Sequence, residues 1–233
     1  MFNTIENSVL LNHQVSEFTK LLMDQVQLVA LAFMAIVYII KIKWLLKFVP
    51  VKEGTPSFGD EKKSILYAYS MLAMPWEMES TSKHWIRYLE FVVFHIGVAV
   101  AIFATFVLPY FPKILASPII IGGMQIILSA AFLSGMSRLI RRITVKEMRL
   151  ISSPDDYFSI IVLNIWLITA FFGVQQTSEL WLISFFGMTT FFLIYVPFSK
   201  ISHYIYWPFI RYYMGKHFGH RGVYPKKKIK IAA

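Results

Sequence analysis

The sequence contains no cysteine. That absence excludes a thiolate-held iron–sulfur cluster, a covalently attached c-type haem and any disulfide within the chain. Charge is scarce as well: 15% of the 233 residues are charged against 57% hydrophobic, and the mean hydropathy is +0.58. A soluble core cannot absorb that much apolar surface, so the soluble classes are set aside. No internal repeat is visible, and intramembrane charge pairs are lacking, which argues against a small transporter. An apolar stretch followed by a small-residue cleavage site is missing from residues 1–20, which carry Glu6, Glu17 and Lys20. The expectation is therefore that no signal peptide is removed and that the first apolar segment directs insertion.

What remains is a series of long uncharged runs. There are 22 such positions between Glu90 and Lys113, 24 between Lys113 and Arg138, 22 between Asp156 and Glu179, and 20 between Glu179 and Lys200. About 20 apolar residues at 1.5 Å rise cross the hydrocarbon layer, so each run is long enough to span it. A fifth, earlier span holds the 16 uncharged residues Gln25–Ile40 and is extended by Lys41, Lys43 and Lys47. Their stems can snorkel toward headgroups while Trp44 sits at the interface. The fold class expected is all-α, an integral membrane bundle of five transmembrane helices at roughly 22–46, 86–109, 115–140, 157–176 and 180–206.

Basic residues outnumber acidic ones by 23 to 13, for a net charge of +10. With the N-terminus outside and five alternating spans, 21 of the 23 fall on the inner side, leaving Lys20 and Lys113 outside. Positive-inside loops thus account for the charge without nucleic acid, and the C-terminus is expected in the cytoplasm. The chain divides into an outer segment 1–21, a membrane domain 22–206 with an inner loop 48–84, and a basic tail 207–233. Within the loop, Ser64–Met74 reads as an amphipathic helix along the membrane surface. In the tail, Lys226, Lys227, Lys228 and Lys230 suit anionic lipid or a docked cytoplasmic subunit.

Of six histidines, His95 and His203 fall at membrane depth. His95 follows Arg87 by eight residues on the second span, roughly 12 Å from the inner interface at helical rise. His203 lies at the inner end of the fifth span, which is expected to stop at Pro208. Two neutral imidazoles from antiparallel helices are a suitable axial pair for a six-coordinate haem iron, and Gly97 would relieve crowding at a porphyrin face. The alternative from the residues alone is that His95 bonds a Ser or Thr on a neighbouring helix and that His203 is an interfacial residue.

Further residues carry a resemblance. Met188–His203, reading MTTFFLIYVPFSKISH, resembles the last helix of the respiratory nitrate reductase gamma subunit, and Phe94–Gly97, reading FHIG, resembles its second helix. The wider group contains the membrane cytochrome b subunits of heterodisulfide reductase and of sulfate-reducer redox complexes. The stretch from Met74 to His84 looks closer to the sulfate-reducer members. The resemblance covers roughly residues 85–212, and its most specific parts are Pro197–His203 and the pair Arg141 and Arg142.

In that family each of two haems b is held by one histidine from the second helix and one from the fifth. The resemblance implies His95 and His203 as the ligands of the haem nearer the cytoplasm. It departs from the family at the outer pair, where Thr105 and Phe185 stand, so one haem b is implied unless Met188 replaces a lost ligand. Arg141, Arg142, Arg87 and Arg211 are the implied partners of the propionates, although each alone also fits a positive-inside anchor. Lys113 lies near a lysine of the family's outer quinol pocket and equally suits a membrane-edge anchor. Glu90 suits proton exchange with a quinone or, preferably, an ion pair with Arg87. Trp85, Trp207 and the phenylalanines read as interface belts and packing.

The resulting expectation is a multi-pass subunit of the cytoplasmic (inner) membrane in an anaerobic respiratory complex. It would pass electrons between menaquinone and a cytoplasmic iron–sulfur subunit, alongside other membrane subunits. A haem-free membrane anchor is the alternative.

Overall fold

An uncharged chain in lipid has no water to satisfy its amides, so each apolar run must close its hydrogen bonds internally as a helix. The computed structural model describes residues 15–48, 51 and 53–225, except the side chains of residues 79 and 80. The basic cluster Lys226–Lys230 and His13 lie outside the described residues. All regular structure among the described residues is helical, and five helices are long and apolar enough to cross a membrane. The chain is thus an all-α, multi-pass membrane protein.

The spans are α1 (Glu17–Leu45), α3 (Trp85–Tyr110), α4 (Pro118–Thr144), α5 (Pro154–Gly173) and α6 (Glu179–Tyr195). Outside the spans, α2 (Glu61–Ser70) lies between α1 and α3, α7 (His203–His220) follows α6, and a short helix, Lys146–Ile151, follows α4. Side-chain caps mark three of the starts. Ser16 accepts from the Thr19 amide at 3.2 Å, Asp60 accepts from the Lys63 amide at 3.1 Å, and α5 opens on a capping box between Ser153 and Asp156 with Pro154 at its first position. The links between α3 and α4 and between α5 and α6 are as short as the sequence predicts. In the second, Gln176 adopts φ 57° and is buried.

The described residues form two compact units, one containing residues up to Tyr38 with Leu89–Ile201, the other Ile39–Tyr88 with residues from Ser202 onward. The first unit packs α4 against α5 and α5 against α6 around Leu128, Leu167, Leu182, Phe185 and Phe186, all at most 1% exposed. Lipid tails are as apolar as leucine, so association here draws on close packing and a few internal hydrogen bonds. Trp166 stacks on Phe185 and donates Nε1–H to Thr189 at 2.9 Å. Large apolar side chains such as Val29, Ile119, Ile126 and Leu133 face outward, 66–85% exposed, as a lipid-facing surface requires. The start of α1 is tied to the start of α6, where the Glu179 carboxylate accepts from the Ser16 amide at 2.8 Å and from the Ser16 and Thr19 hydroxyls. A π-helical segment, Leu22–Val26, follows within α1.

The second unit is built on α2 and α7. Where the sequence predicts a helix at Ser64–Met74, the chain is helical over Glu61–Ser70 and continues as a 3-10 turn at Met71–Ala73, and the helix packs on α7 through small residues. Ser64 and Ala68 of α2 are fully buried, and Gly215 and Gly219 present no side chain to them. A Cβ on Gly215 would come within 2.5 Å of the Ile65 Cα, and one on Gly219 within 2.6 Å of the Ser64 Cβ. Small residues four apart on each helix let the backbones approach closely. This packing also explains why Pro208 does not end the last helix, as the sequence predicts it should. Pro208 lies in the second turn of α7, where it removes one hydrogen bond. Tyr69 donates to its carbonyl at 2.7 Å, and the contacts with α2 carry the helix on to His220.

Candidate functional site

His95 lies on α3, half-buried, with Nδ1 2.8 Å from the Phe91 carbonyl oxygen one turn back. A carbonyl can only accept, so Nδ1 carries a proton, and in the neutral form of the ring the lone pair then falls on Nε2. Fixing one ring nitrogen in this way sets the orientation and raises the basicity of a metal-ligating imidazole. The Phe91 ring lies against it at 4.2 Å between centroids, and Phe94 meets it edge-on at 5.9 Å. His95 belongs to the first unit and His203 to the second. His203 is exposed as the first residue of α7, edge-on to Tyr204 at 6.4 Å.

The segment leading to His203 is held by the start of α5. After Tyr195 the chain tightens into two short 3-10 turns, with the buried Pro197 in the first and Ser199 extended between them. The Tyr195 hydroxyl donates to Asp155, which also accepts from the Lys200 amide at 3.2 Å. The Lys200 ammonium reaches Asp156 at 2.7 Å and Ser153 at 2.8 Å. Pro197, Ser199 and Lys200, the core of the sequence motif, are thus the residues that break α6 and pin the break.

The cationic candidates occupy different surroundings. Arg142 donates to Ser152 at 2.6 Å and lies 3.8 Å from Asp156. Arg141, one position earlier, has a buried Nε with no hydrogen-bond partner among the described residues. Arg87 is exposed in the first turn of α3, and Arg211 lies over the Trp207 ring at 5.9 Å. Lys113 is exposed on the 3-10 turn between α3 and α4.

Two local readings are corrected. Gly97 does not make room at a porphyrin face, because a Cβ there would run into the Ala131 methyl of α4. It is the contact point of two helices. Glu90 finds its partners on α4, where the sequence reading looked to Arg87: its carboxylate accepts from Ser137 at 2.9 Å and its backbone carbonyl from Ser134 at 2.6 Å.

Sequence reasoning missed Arg138. Its guanidinium lies 5.1 Å from the Phe94 ring centroid and 5.9 Å from that of Phe91, the two rings flanking His95. The available signal was the spacing of Arg138, Arg141 and Arg142, which puts all three on one face of a helix.

At the expected outer ligand positions, Thr105 donates to its own helix at the Ile102 carbonyl, 2.7 Å away, and Phe185 is fully buried against Trp166. Comparison with protein-family models, with curated proteins and with solved structures found no match.

Proposed function

We propose that this chain is a haem b subunit of an anaerobic respiratory complex, exchanging electrons between menaquinone and a cytoplasmic iron–sulfur subunit. The observation that carries the reading is the His95 ring, oriented by the Phe91 carbonyl through Nδ1, which in its neutral form would offer the Nε2 lone pair to iron. The orphaned Arg141 Nε fits the second requirement of a haem, a buried cation for an anionic propionate.

His95 and His203 would be the axial ligands, and Arg141, with Arg142, Arg87 and Arg211 as further candidates, would face the propionates. The haem would supply one-electron oxidation and reduction, and the chain would supply ligands, orientation and a low dielectric. With Thr105 and Phe185 at the outer positions, one haem is expected. Lys113 and Glu90 are the candidates for contact with the quinone. Because the chain has no cysteine, any iron–sulfur cluster in the complex lies on another subunit. The charge distribution supports an outer N-terminus and an inner C-terminus in the cytoplasmic membrane. The resemblance of Met188–His203 to the nitrate reductase gamma subunit, and of Met74–His84 to sulfate-reducer members, supports the kind of complex.

The test is a visible spectrum of the purified chain with a count of haem per chain. Reduced b-type bands at one haem per chain, abolished by His95→Ala and by His203→Ala, are expected. Survival of the low-spin spectrum in either variant refutes the ligand pair. A colourless chain that still purifies with a cluster-bearing subunit would identify a haem-free anchor.

A further inference from the structure

Arg138 and Arg141 stand one helical turn apart near the C-terminal end of α4. Neither side chain forms a hydrogen bond or ion pair among the described residues, and the Arg141 Nε is buried with nothing to donate to. A buried donor left without a partner is destabilising, and more so when it carries charge. Two guanidiniums at this spacing also repel each other. The adjacent Arg142 shows what the protein does when it satisfies such a group itself, supplying Ser152 and Asp156. Nothing equivalent is supplied to the other two. Glu90 lies within electrostatic reach of Arg138, but its carboxylate is hydrogen-bonded by Ser137. The Phe91 and Phe94 rings hold the Arg138 guanidinium against an apolar wall.

We infer that Arg138 and Arg141 form an oxyanion site that takes the carboxylate or phosphate of an amphipathic ligand whose apolar body lies along the bundle. The guanidinium fork matches both groups. In its carboxylate form, a haem propionate, the inference rests on the function proposed above and adds Arg138 to it. In its phosphate form, an anionic lipid, it stands without that function.

The experiment uses the full chain, delipidated in detergent, with two probes. Haemin and its dimethyl ester are titrated by Soret absorbance, and retention of phosphatidylglycerol against phosphatidylcholine is read by native mass spectrometry. One probe should show a preference for the anionic ligand of about tenfold, lost in R138Q/R141Q and kept in K146Q/R149Q, which removes the same charge from the short helix after α4. A preference in the haemin arm identifies a carboxylate and one in the lipid arm a phosphate. No preference in either arm for the unmodified chain overturns the site, and so does a preference that the double variant retains. If the double variant does not fold, the single variants R138Q and R141Q must each weaken the preference about threefold. Failure of haemin to bind at all sinks the haem reading and leaves the lipid arm to decide this one.

Discussion

The two compact units bring helices together by different physics. In the first, α3 to α6 pack mainly through large apolar side chains with a few buried hydrogen bonds such as Trp166 to Thr189, and carboxylate clamps such as Asp155–Tyr195–Lys200 sit at helix ends. Gly97 against Ala131 is a local exception that lets α3 and α4 touch. In the second, α2 and α7 meet backbone to backbone through Ser64, Ala68, Gly215 and Gly219, and polar bonds tie the segment before α2 to the end of α7. Glu53 accepts from Arg221 at 2.8 Å and His217 at 3.0 Å, and His220 reaches the Thr55 carbonyl at 2.7 Å. Lipid-facing helices cannot distribute charge along their length, whereas the second unit uses it throughout.

The largest effect that would sharpen this comparison is expected for Gly97→Leu. The new side chain has no space beside Ala131, and overpacking should destabilise the first unit by about 3 kcal/mol, read as a fall in the thermal midpoint in detergent. An unchanged midpoint would mean that α3 and α4 do not approach as described. Next comes Gly215→Ala, whose Cβ meets backbone atoms of Ile65 that cannot rotate aside, for a cost of about 1–2 kcal/mol. Hydrogen exchange should quicken in α2 and α7 while α4 to α6 keep their protection. Equal loss of protection in both units would break the distinction drawn between them.

The smallest effect concerns pH. Hydrogen bonds from Arg221 and then His217 hold the Glu53 carboxyl below its ordinary value of 4.5. A lowered value in the folded state means that the contribution is complete above 4.5 and is lost as pH falls through the lowered value. Protease sensitivity at the end of α7 should therefore rise below pH 4.5 in the native chain, and Glu53→Gln should show the raised sensitivity already at neutral pH. Because the pair is at the surface, the effect should also shrink with added salt.

The five spans were legible because lipid imposes a length and an apolar composition that no local detail overrides. The two histidines stood out because ionisable side chains are rare in and beside long apolar runs. Other features could not be read from pattern. Pro208 looked like a stop, yet packing on α2 outweighs one missing hydrogen bond. Glu90 looked paired to Arg87 because spacing along one helix is visible in sequence, whereas Ser134 and Ser137 become its neighbours only when α3 meets α4. Gly97 was read against a ligand when its actual neighbour is a methyl group 34 residues later in the chain. Arg138 marked only the end of an uncharged run in the sequence, and its neighbours Phe91 and Phe94 lie on a different helix.

Sequence alone determined that this protein has five helices long and apolar enough to cross a membrane and placed His95 on the second, because both follow from how apolar residues and charges are ordered along the chain. Tertiary structure decided which cations are satisfied, where the last span breaks and which glycines are contact points. Those outcomes depend on which helix faces meet, and that is settled by packing between residues far apart in the chain.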